Sequence, residues 1–356
     1  MARLPVAQGE SMRTQTEITK AGPLLDKRGV LTQRGYAVKP LLEYRRKDIK
    51  APAWRIKEWD FYQVSNNDCC VQFTIGHTAY AGALTVTFFR FSDGLRYDRT
   101  ATLILPFGSL GMPETSARGV SLSRGGVDIS FDVAPGKRTL CCRTGADKNN
   151  PPMEAELVLE RVHDTSLVIA TPFKEYPEAF YYNEKINCMP VSGYIVIGGE
   201  RFTFESRDSF GLLDWGRGVW PFHTEWYWGN GSGVVNGRPF GFNIGFGFGD
   251  TSAASENMLF YDGKAYKISE VNFDLAAGGY LSPKHFSSDD GSFEMDFTPV
   301  YDRYAENKLL FVDTRCHQVF GRFTGKVRLN EGNRRSAVEL EIKDLMAFTE
   351  HAVNNW

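Results

Sequence analysis

The sequence lacks the features that mark several large classes of protein. No stretch approaches the roughly 18 consecutive apolar residues that a membrane-spanning helix needs, and residues 1–20 contain no apolar core of the signal-peptide type. Its 41 Lys and Arg against 43 Asp and Glu leave a net charge of -2, so no general field favours nucleic acid or an anionic membrane. We expect a cytoplasmic protein with no integral membrane segment and no nucleic-acid partner.

Motifs for common cofactors and nucleophiles are also absent. The sequence has no Gly-x-Ser-x-Gly, no His-Glu-x-x-His and no Gly-x-x-x-x-Gly-Lys-Ser/Thr segment. The six Cys form no Cys-x-x-Cys pattern, and no His is placed to complete a zinc site. We expect reduced thiols, no metal and no cofactor. The adjacent pairs Cys69-Cys70 and Cys141-Cys142 are expected to lie on strands and to face opposite sides.

Alternation of apolar and polar residues dominates what is present. Val71, Phe73 and Ile75 interleave with polar residues, and residues 127–133 repeat the pattern, which is typical of half-buried strands. Pairs that favour tight hairpin turns separate many such runs, and these are Gly198-Gly199, Asn236-Gly237, Asp262-Gly263 and Asp290-Gly291. The best helical candidates are short, at 41–50 and 344–353.

Length and pattern together predict an all-β protein of two domains. A chain of 356 residues exceeds one domain of roughly 150 residues, and closing or stacking short antiparallel strands removes exposed sheet edges. The proline-containing stretch 171–190 is the expected seam. We therefore expect two antiparallel β-barrel or β-sandwich domains in tandem, with an irregular N-terminal arm in domain 1–180 and the main site in domain 181–356. The oligomeric state is left open.

One predicted strand has a nearly bare face. Residues 240–249 place Phe240, Phe242 and Ile244 on one side, while Gly residues and Asn243 occupy the other. Gly weakens a strand unless something approaches its backbone closely. Neighbouring aromatic rings filling the space of a coiled barrel strand, or a bound ligand, both account for this pattern.

The strongest functional signal is a tryptophan-rich segment at 214–229. It holds four of the seven Trp residues, beside Asp214, Arg217, His223 and Glu225. Rings with a few polar groups are what a pocket for an apolar molecule requires. A carboxyl group among rings loses solvation and becomes a general acid near neutral pH, and ring faces stabilise a developing carbocation. The candidate ring contacts are Trp215, Trp220, Trp226, Tyr227 and Trp228.

The catalytic candidates of this segment are Glu225, Asp214 and His223. Asp214 and Arg217 are three positions apart and form either a structural salt bridge or an anion clamp, so Glu225 is the better acid. His223 is either a base or a hydrogen-bonded wall residue. A second, weaker combination of charge and rings lies at 57–62. Asn243, Lys185 and Asn187 complete the ligand-binding candidates with Arg217.

The segments also resemble a bacterial family of unknown function over nearly the whole chain, with an Asp-Trp-Gly-Arg-Gly-Val-Trp signature at 214–220. The matching blocks are 22–25, 57–60, 185–189, 214–220, 226–229, 240–250, 256–257, 296–299 and 318–321. That family is distantly similar to the tandem lipocalin-like group of hydroxyneurosporene synthase and the tocopherol cyclases. The resemblance implies two lipocalin-like β-domains and an apolar, isoprenoid substrate. It extends to a run here represented by Trp220, His223, Glu225 and Trp226.

Three functions remain in view. The first is a protein that encloses a hydrophobic, isoprenoid or polyene-like molecule and acts on it as a cofactor-free hydratase or cyclase. The second is a non-catalytic carrier or sensor of the same molecules. The third is a carbohydrate-active β-sandwich, because Trp faces stack on sugars and two carboxylates, Asp214 and Glu225, could flank a glycosidic bond.

Overall fold

The structure, a computed structural model, describes residues 15–273, 278–309, 312–330 and 337–356. These residues form 24 strands and two short 3-10 turns, Arg46–Asp48 and Ala53–Arg55. The predicted all-β class is confirmed. No helical turn in the described ranges is both long and apolar enough to cross a membrane.

Most strands belong to two barrel-like antiparallel sheets. The first sheet contains β2 (Gly35–Ala37), β4 (Ile56–Ser65), β5 (Cys69–His77), β6 (Ala81–Arg90), β7 (Arg96–Ile104), β8 (Val120–Arg124), β9 (Val127–Ala134), β10 (Lys137–Thr144), β11 (Met153–Glu160), β12 (Leu167–Pro172), β13 (Phe180–Ile197), β14 (Glu200–Phe204) and β15 (Phe210–Val219). The second contains β16 (His223–Val235), β17 (Arg238–Phe246), β18 (Met258–Tyr261), β19 (Lys264–Lys267), β20 (Val271–Asn272), β21 (Lys284–Ser288), β22 (Phe293–Leu309), β23 (Val312–Leu329) and β24 (Val338–Asn355). Strands β1 (Gly22–Pro23) and β3 (Leu42–Glu43) pair separately.

The chain changes sheets between Val219 and His223. The stretch 171–190, expected to be the seam, instead contains the end of β12 and the first part of β13, both within the first sheet. Its prolines do not interrupt the sheet, because Pro172 ends a strand and Pro190 follows an irregularity in β13. The division expected at residues 180 and 181 therefore coincides with no change of sheet.

Both sheets are packed on two sides. Their interiors are filled with aromatic residues, including Phe73 and Phe131 in the first barrel and Phe242 and Phe323 in the second. A third cluster lies between the sheets and joins their outer faces, with members Cys70, Phe89, Phe91, Leu212, Trp228, Phe320, Met346 and Phe348. The pair Cys69-Cys70 spans this division, because Cys69 belongs to the first interior and Cys70 to the layer between the sheets.

Two-sided burial also explains why one helical prediction is wrong. Residues 344–353 lie inside β24, where Ala347 faces the second barrel and Phe348 faces the first sheet. An apolar run buried on both faces loses the alternation of a strand, so periodicity cannot distinguish it from a helix. The other candidate, 41–50, contains β3 and the 3-10 turn Arg46–Asp48.

Most of the predicted turns have the expected backbone. Asn236 and Gly237 have φ of 51° and 73°, and Asp262 and Gly263 have φ of 46° and 79°, as a two-residue hairpin turn requires. The turn near Asp290-Gly291 is longer, because β21 ends at Ser288 and β22 begins at Phe293.

The bare face of β17 is covered by protein. A Cβ added to Gly241 would lie 2.6 Å from the Cys188 Sγ of β13. Cys188 itself has φ of 59° and lies at a register shift between Ile186 and Met189, which bends β13 toward the second sheet. At Gly241 the close approach that the bare face indicated is made by a cysteine of the protein, and neither an aromatic ring nor a ligand is needed there.

The aromatic interior of the second barrel predicts a measurable stability. Phe242 is fully buried among Phe293 and Phe323, so Phe242→Ala should lower the free energy of unfolding by about 3–5 kcal/mol. Urea denaturation followed by fluorescence measures this, with the exposed Val338→Ala as the control expected to stay within about 0.5 kcal/mol. Equal midpoints for the two variants would contradict this description of the core.

Candidate functional site between the two sheets

A cavity of about 1020 Å³ lies between the two sheets. Its walls come from outward-facing residues of β4 to β7, β13 and β15 in the first sheet and of β16, β22, β23 and β24 in the second. Aromatic wall residues are Trp59, Phe61, Tyr181, Trp226, Tyr227, Trp228, Phe246, Phe248, Tyr304 and Trp356. Polar wall residues at the same end include Lys185, Asp214, Glu256, Gln318 and Glu350.

A buried lysine holds two carboxylates at the wall of this cavity. The Lys185 Nζ lies 3.1 Å from Asp214 Oδ1 and 3.2 Å from Glu256 Oε2, and we call these three residues the lysine cluster. Burial lowers the pKa of Lys185, but the two carboxylates outweigh it and the pKa is raised. Lys185 and Asp214 belong to β13 and β15, whereas Glu256 lies between β17 and β18. The cluster is therefore an ionic bond between the sheets.

Hydrogen bonds fix the orientation of Asp214. The Trp59 indole donates to its Oδ2 at 3.0 Å, and Asn183 Nδ2 donates to its Oδ1 at 2.5 Å. Lys185 also donates to the Asn183 Oδ1 at 2.7 Å. Both carboxylate oxygens of Asp214 thus have partners in the first sheet.

Glu350 is the carboxyl group whose environment differs most from that of the lysine cluster. It is 8% exposed, and no cation of the described chain lies within 4 Å of it. Its partners are the Trp226 indole at 2.9 Å and the Gln318 amide at 3.1 Å. Burial raises the pKa of Glu350, although the Trp226 hydrogen bond and the charge of Arg303 oppose the rise. This wall therefore carries a carboxyl group that holds its proton more tightly than an ordinary glutamate does.

A line of amides joins Glu350 to the first sheet. Gln318 Nε2 donates to Glu350, while Gln318 Oε1 accepts from Gln72 Nε2 at 2.6 Å. Gln72 also donates to Gln63 at 2.9 Å. All three amides are buried, so the line holds β23 against β4 and β5 in one register.

The aromatic end of the cavity surrounds the charged groups. The Lys185 ammonium lies 5.1 Å from the Trp228 ring centroid and 5.7 Å from that of Tyr181. Trp226 packs against Phe248 at 5.1 Å, and Tyr181 packs against the same ring at 4.7 Å. Ring faces and acidic groups are thus brought together in one space, but by two sheets rather than by one segment.

The proposed pairing of Asp214 with Arg217 is wrong. The two residues are an odd number of positions apart on β15, so their side chains point to opposite faces. Arg217 lies in the first barrel, where it bonds Asp60 at 2.8 Å, while Asp214 faces the cavity and bonds Lys185.

Two predicted ring contacts do not line the cavity. Trp215 shares the inner face with Arg217 and packs on Tyr44 and Tyr182. Trp220 is 1% exposed and is not part of the cavity wall. Its ring packs against Trp59, a wall residue, with 5.0 Å between the ring centroids. By contrast, Trp226, Tyr227 and Trp228 all line the cavity.

The predicted amides form a buried network behind the wall. Asn187 donates to Asn230, which donates to Asn243, and Asn243 accepts from the Trp228 indole at 2.7 Å. Asn243 Nδ2 also donates to the Glu256 carbonyl at 2.6 Å. The network positions Trp228 and Glu256, two residues that do line the cavity.

Glu225 and His223 lie on the surface. The Glu225 side chain is 46% exposed and accepts from His351 at 2.8 Å, and His223 is exposed and contacts Asn355. Neither residue lines the cavity. The desolvation from which we inferred an acidic role for Glu225 is instead present at Glu350.

Sequence patterns missed the most informative residues. Glu350 follows an apolar run near the end of the chain, with no Trp beside it in sequence, so nothing local indicated its surroundings. Glu256 and Gln318 were visible only as parts of matching blocks. The weaker segment 57–62 contributes Trp59 and Phe61 to the same cavity, which alternation along β4 could have indicated. Among the described residues, no group of three or more His, Cys, Asp or Glu is arranged to hold a metal ion.

Comparison with known proteins gives a family and a fold. Residues 15–356 match the family described as a domain of unknown function, DUF2804. The chain belongs to this family. No functionally curated protein matches it significantly. The expectation of a family of unknown function is therefore confirmed.

Two solved structures resemble this DUF2804 chain over almost its full length. One is a Nitrosomonas europaea protein designated AttH, with a TM-score of 0.53 and 13% identity, covering 93% of this chain and 98% of that one. The other is kievitone hydratase from Nectria haematococca, with a TM-score of 0.51 and 7% identity, covering 96% of this chain and 97% of that one. At these identities the likeness shows the lipocalin-like tandem fold alone.

The lysine cluster predicts a large effect of one substitution. Lys185→Met leaves Asp214 and Glu256 buried without a counterion, so it should lower the free energy of unfolding by about 3–5 kcal/mol at pH 8. One carboxyl then takes up a proton in the folded state, so its pKa rises above the unfolded value and the loss should shrink as the pH falls to 5. Urea denaturation at both pH values measures this.

The matched control is Lys343→Met, because the Lys343 side chain is 73% exposed and its pair with Glu341 contributes at most about 1 kcal/mol. A Lys185→Met variant as stable as Lys343→Met at pH 8 would refute the ionic bond between the sheets.

Proposed function

We propose that this DUF2804 protein binds a hydrophobic, isoprenoid or polyene-like molecule in the cavity between its sheets and acts on it as a cofactor-independent, acid-catalysed hydratase or cyclase. The observation that carries the proposal is the position of Glu350. It is a buried carboxyl group with a raised pKa, bonded to a tryptophan indole in the wall of a large, partly aromatic cavity.

Size and lining support an apolar ligand. Pockets for small molecules typically measure about 300–1,000 Å³ and combine apolar walls with a few convergent polar groups. The cavity is at the upper end of that range, and ten aromatic residues of the described chain contribute to its walls. An extended molecule with a chain or several rings fits such a volume better than a compact one.

The acid step follows from the environment of Glu350. Its proton would move to one carbon of a carbon-carbon double bond, whose π electrons form the new C–H bond and leave a cation on the other carbon. The faces of Trp226 and Trp228 would stabilise that cation. Attack by a second double bond of the ligand gives a ring, and attack by water gives an alcohol.

Asp214 supplies the complementary role. When water adds to the cation, the oxygen must lose a proton, and a carboxylate in the same wall can accept it. Lys185 and Trp59 hold Asp214 with hydrogen bonds, so its position does not depend on the ligand. In a cyclisation the same carboxylate would remove the proton from the carbon that ends the reaction.

The name of one structural neighbour agrees with this chemistry. Kievitone hydratase is a hydratase with the same tandem fold, although its 7% identity transfers no residue role to this chain. The agreement raises hydration above cyclisation as the first reaction to test.

Ligand capture is the first experiment. Native mass spectrometry of protein purified gently from its source should show a bound apolar molecule that organic extraction removes. Because Gly76 lines the cavity and an added Cβ there would meet Trp59, Gly76→Leu should reduce the fraction of the protein that carries the bound molecule. Ligand-free protein in every preparation would count against enclosure.

Glu350→Gln separates catalysis from binding. With the molecule captured by native mass spectrometry as substrate, the variant should lose at least about 100-fold in turnover, the usual contribution of a general acid, while Kd changes little. Glu225→Gln is the informative control, because Glu225 lies outside the cavity and should retain activity. Loss of turnover in Glu225→Gln with normal Glu350→Gln would reinstate the assignment made from sequence.

The same variant has a readout that needs no substrate. The raised pKa of Glu350 means that the folded state holds its proton more tightly than the unfolded state. The wild type therefore loses stability as the pH rises from 4.5 through the raised pKa of Glu350. Glu350→Gln should therefore be more stable than the wild type at pH 8, and the difference in the free energy of unfolding should shrink toward pH 5. The exposed Glu341→Gln should show no such trend.

The other functions give different results in these experiments. A carrier or sensor would hold the ligand without forming product, and Glu350→Gln would then change nothing but stability. A glycosidase needs two carboxyl groups that flank one space, but of the pair proposed from sequence only Asp214 lines the cavity.

A further inference from the structure

The cationic residues of the cavity are unequally compensated. Four Lys and Arg side chains line it, namely Arg96, Lys185, Arg303 and Lys308. Lys185 is paired within the lysine cluster, Arg96 with Asp98 at 2.5 Å, and Lys308 with Glu306 at 2.7 Å. Arg303 forms no ion pair with a carboxylate in the described part of the chain, and its Nε is buried without a hydrogen-bond partner.

Strand register places Arg303 in line with the acid site. Arg303 is opposite Gln318, Gln318 is opposite Glu350, and Glu350 is opposite Trp228. Neighbouring strands are about 4.8 Å apart, so the backbone of Arg303 lies about 10 Å from that of Glu350 across the sheet. A molecule extended along this row would contact the tryptophan rings, Glu350 and Arg303 in turn.

The surroundings of Arg303 differ from the aromatic end. The polar part of the cavity is lined by Thr85, Thr100, Thr102 and Thr314, and its acids Asp98 and Glu306 are already paired. A buried guanidinium N–H without a hydrogen-bond partner is costly, and an oxyanion is its best partner because carboxylate and phosphate match the fork of donors.

We propose that Arg303 binds an oxyanion, a carboxylate or a phosphate, at one end of the ligand. The apolar body of the ligand then lies over Trp226 and Trp228, and Glu350 faces the bond between the two ends. The ligand is therefore amphipathic rather than a pure hydrocarbon. The inference rests on the proposed function, because it assigns the second end of the same cavity.

A pair of fluorescent probes tests this without knowledge of the natural ligand. We expect the wild type to bind 11-(dansylamino)undecanoic acid about tenfold or more tightly than its neutral methyl ester. Arg303→Gln should remove this preference by weakening the acid alone, and Arg303→Lys should restore part of it. Arg328→Gln is the control, because Arg328 is 56% exposed, paired with Glu339 and outside the cavity.

The outcomes separate this inference from the proposed function. If the wild type binds both probes equally, or if Arg303→Gln leaves the preference unchanged, the oxyanion site is wrong while the apolar cavity stands. If the wild type binds neither probe, the proposed function fails and this inference with it. If the wild type prefers the acid probe, competition by decanoate and by decyl phosphate identifies the oxyanion, since the stronger competitor carries the favoured group. A urea midpoint of Arg303→Gln at or above that of the wild type shows that the variant is folded.

Discussion

The structure depends on one buried ionic contact between two sheets. Lys185 projects from the first sheet and is held by Asp214 of the same sheet and by Glu256 of the second. Burying these charges is costly unless each finds its partner, so the contact favours one relative position of the sheets. That position leaves a large space beside the cluster, and Glu350 lines the same space with no Lys or Arg of the described residues paired to it. The acid group and the paired carboxylates thus have opposite environments because of how the sheets meet.

The location of this space distinguishes the protein from a simple lipocalin-like barrel. Aromatic side chains fill the second barrel, and the first contains Arg138, Arg217 and Asp60 among its apolar residues. Neither interior supplies the large cavity, which instead lies between the outer faces. The outer faces consequently carry the residues of the site, and this accounts for strands such as β5 and β24 that are buried on both sides.

The sequence was sufficient for the fold but only partly for the site. Alternation and Asn-Gly or Asp-Gly turns predicted antiparallel strands, because both signals are local. The tryptophan-rich segment placed Asp214, Trp226 and Trp228 among the candidates, and the family block 185–189 contains Lys185. Both signals are local as well. They could not separate Asp214 from Arg217, which point to opposite faces of β15, or place Glu225 on the surface. Glu350 becomes a candidate only when β24 is packed against Trp226 and Gln318, which is a contact between distant segments.

The central claim is that Glu350 carries a proton in the cavity under conditions where an ordinary glutamate does not. Infrared difference spectroscopy of the wild type against Glu350→Gln, recorded across a pH series, measures this directly through the carbonyl band of the protonated carboxyl group. The account predicts that the midpoint of this band lies above the ordinary glutamate pKa of 4.5, and that a ligand in the cavity would shift it further. A midpoint at or below 4.5 would contradict the account, because Glu350 would then be ionised and unable to act as the acid.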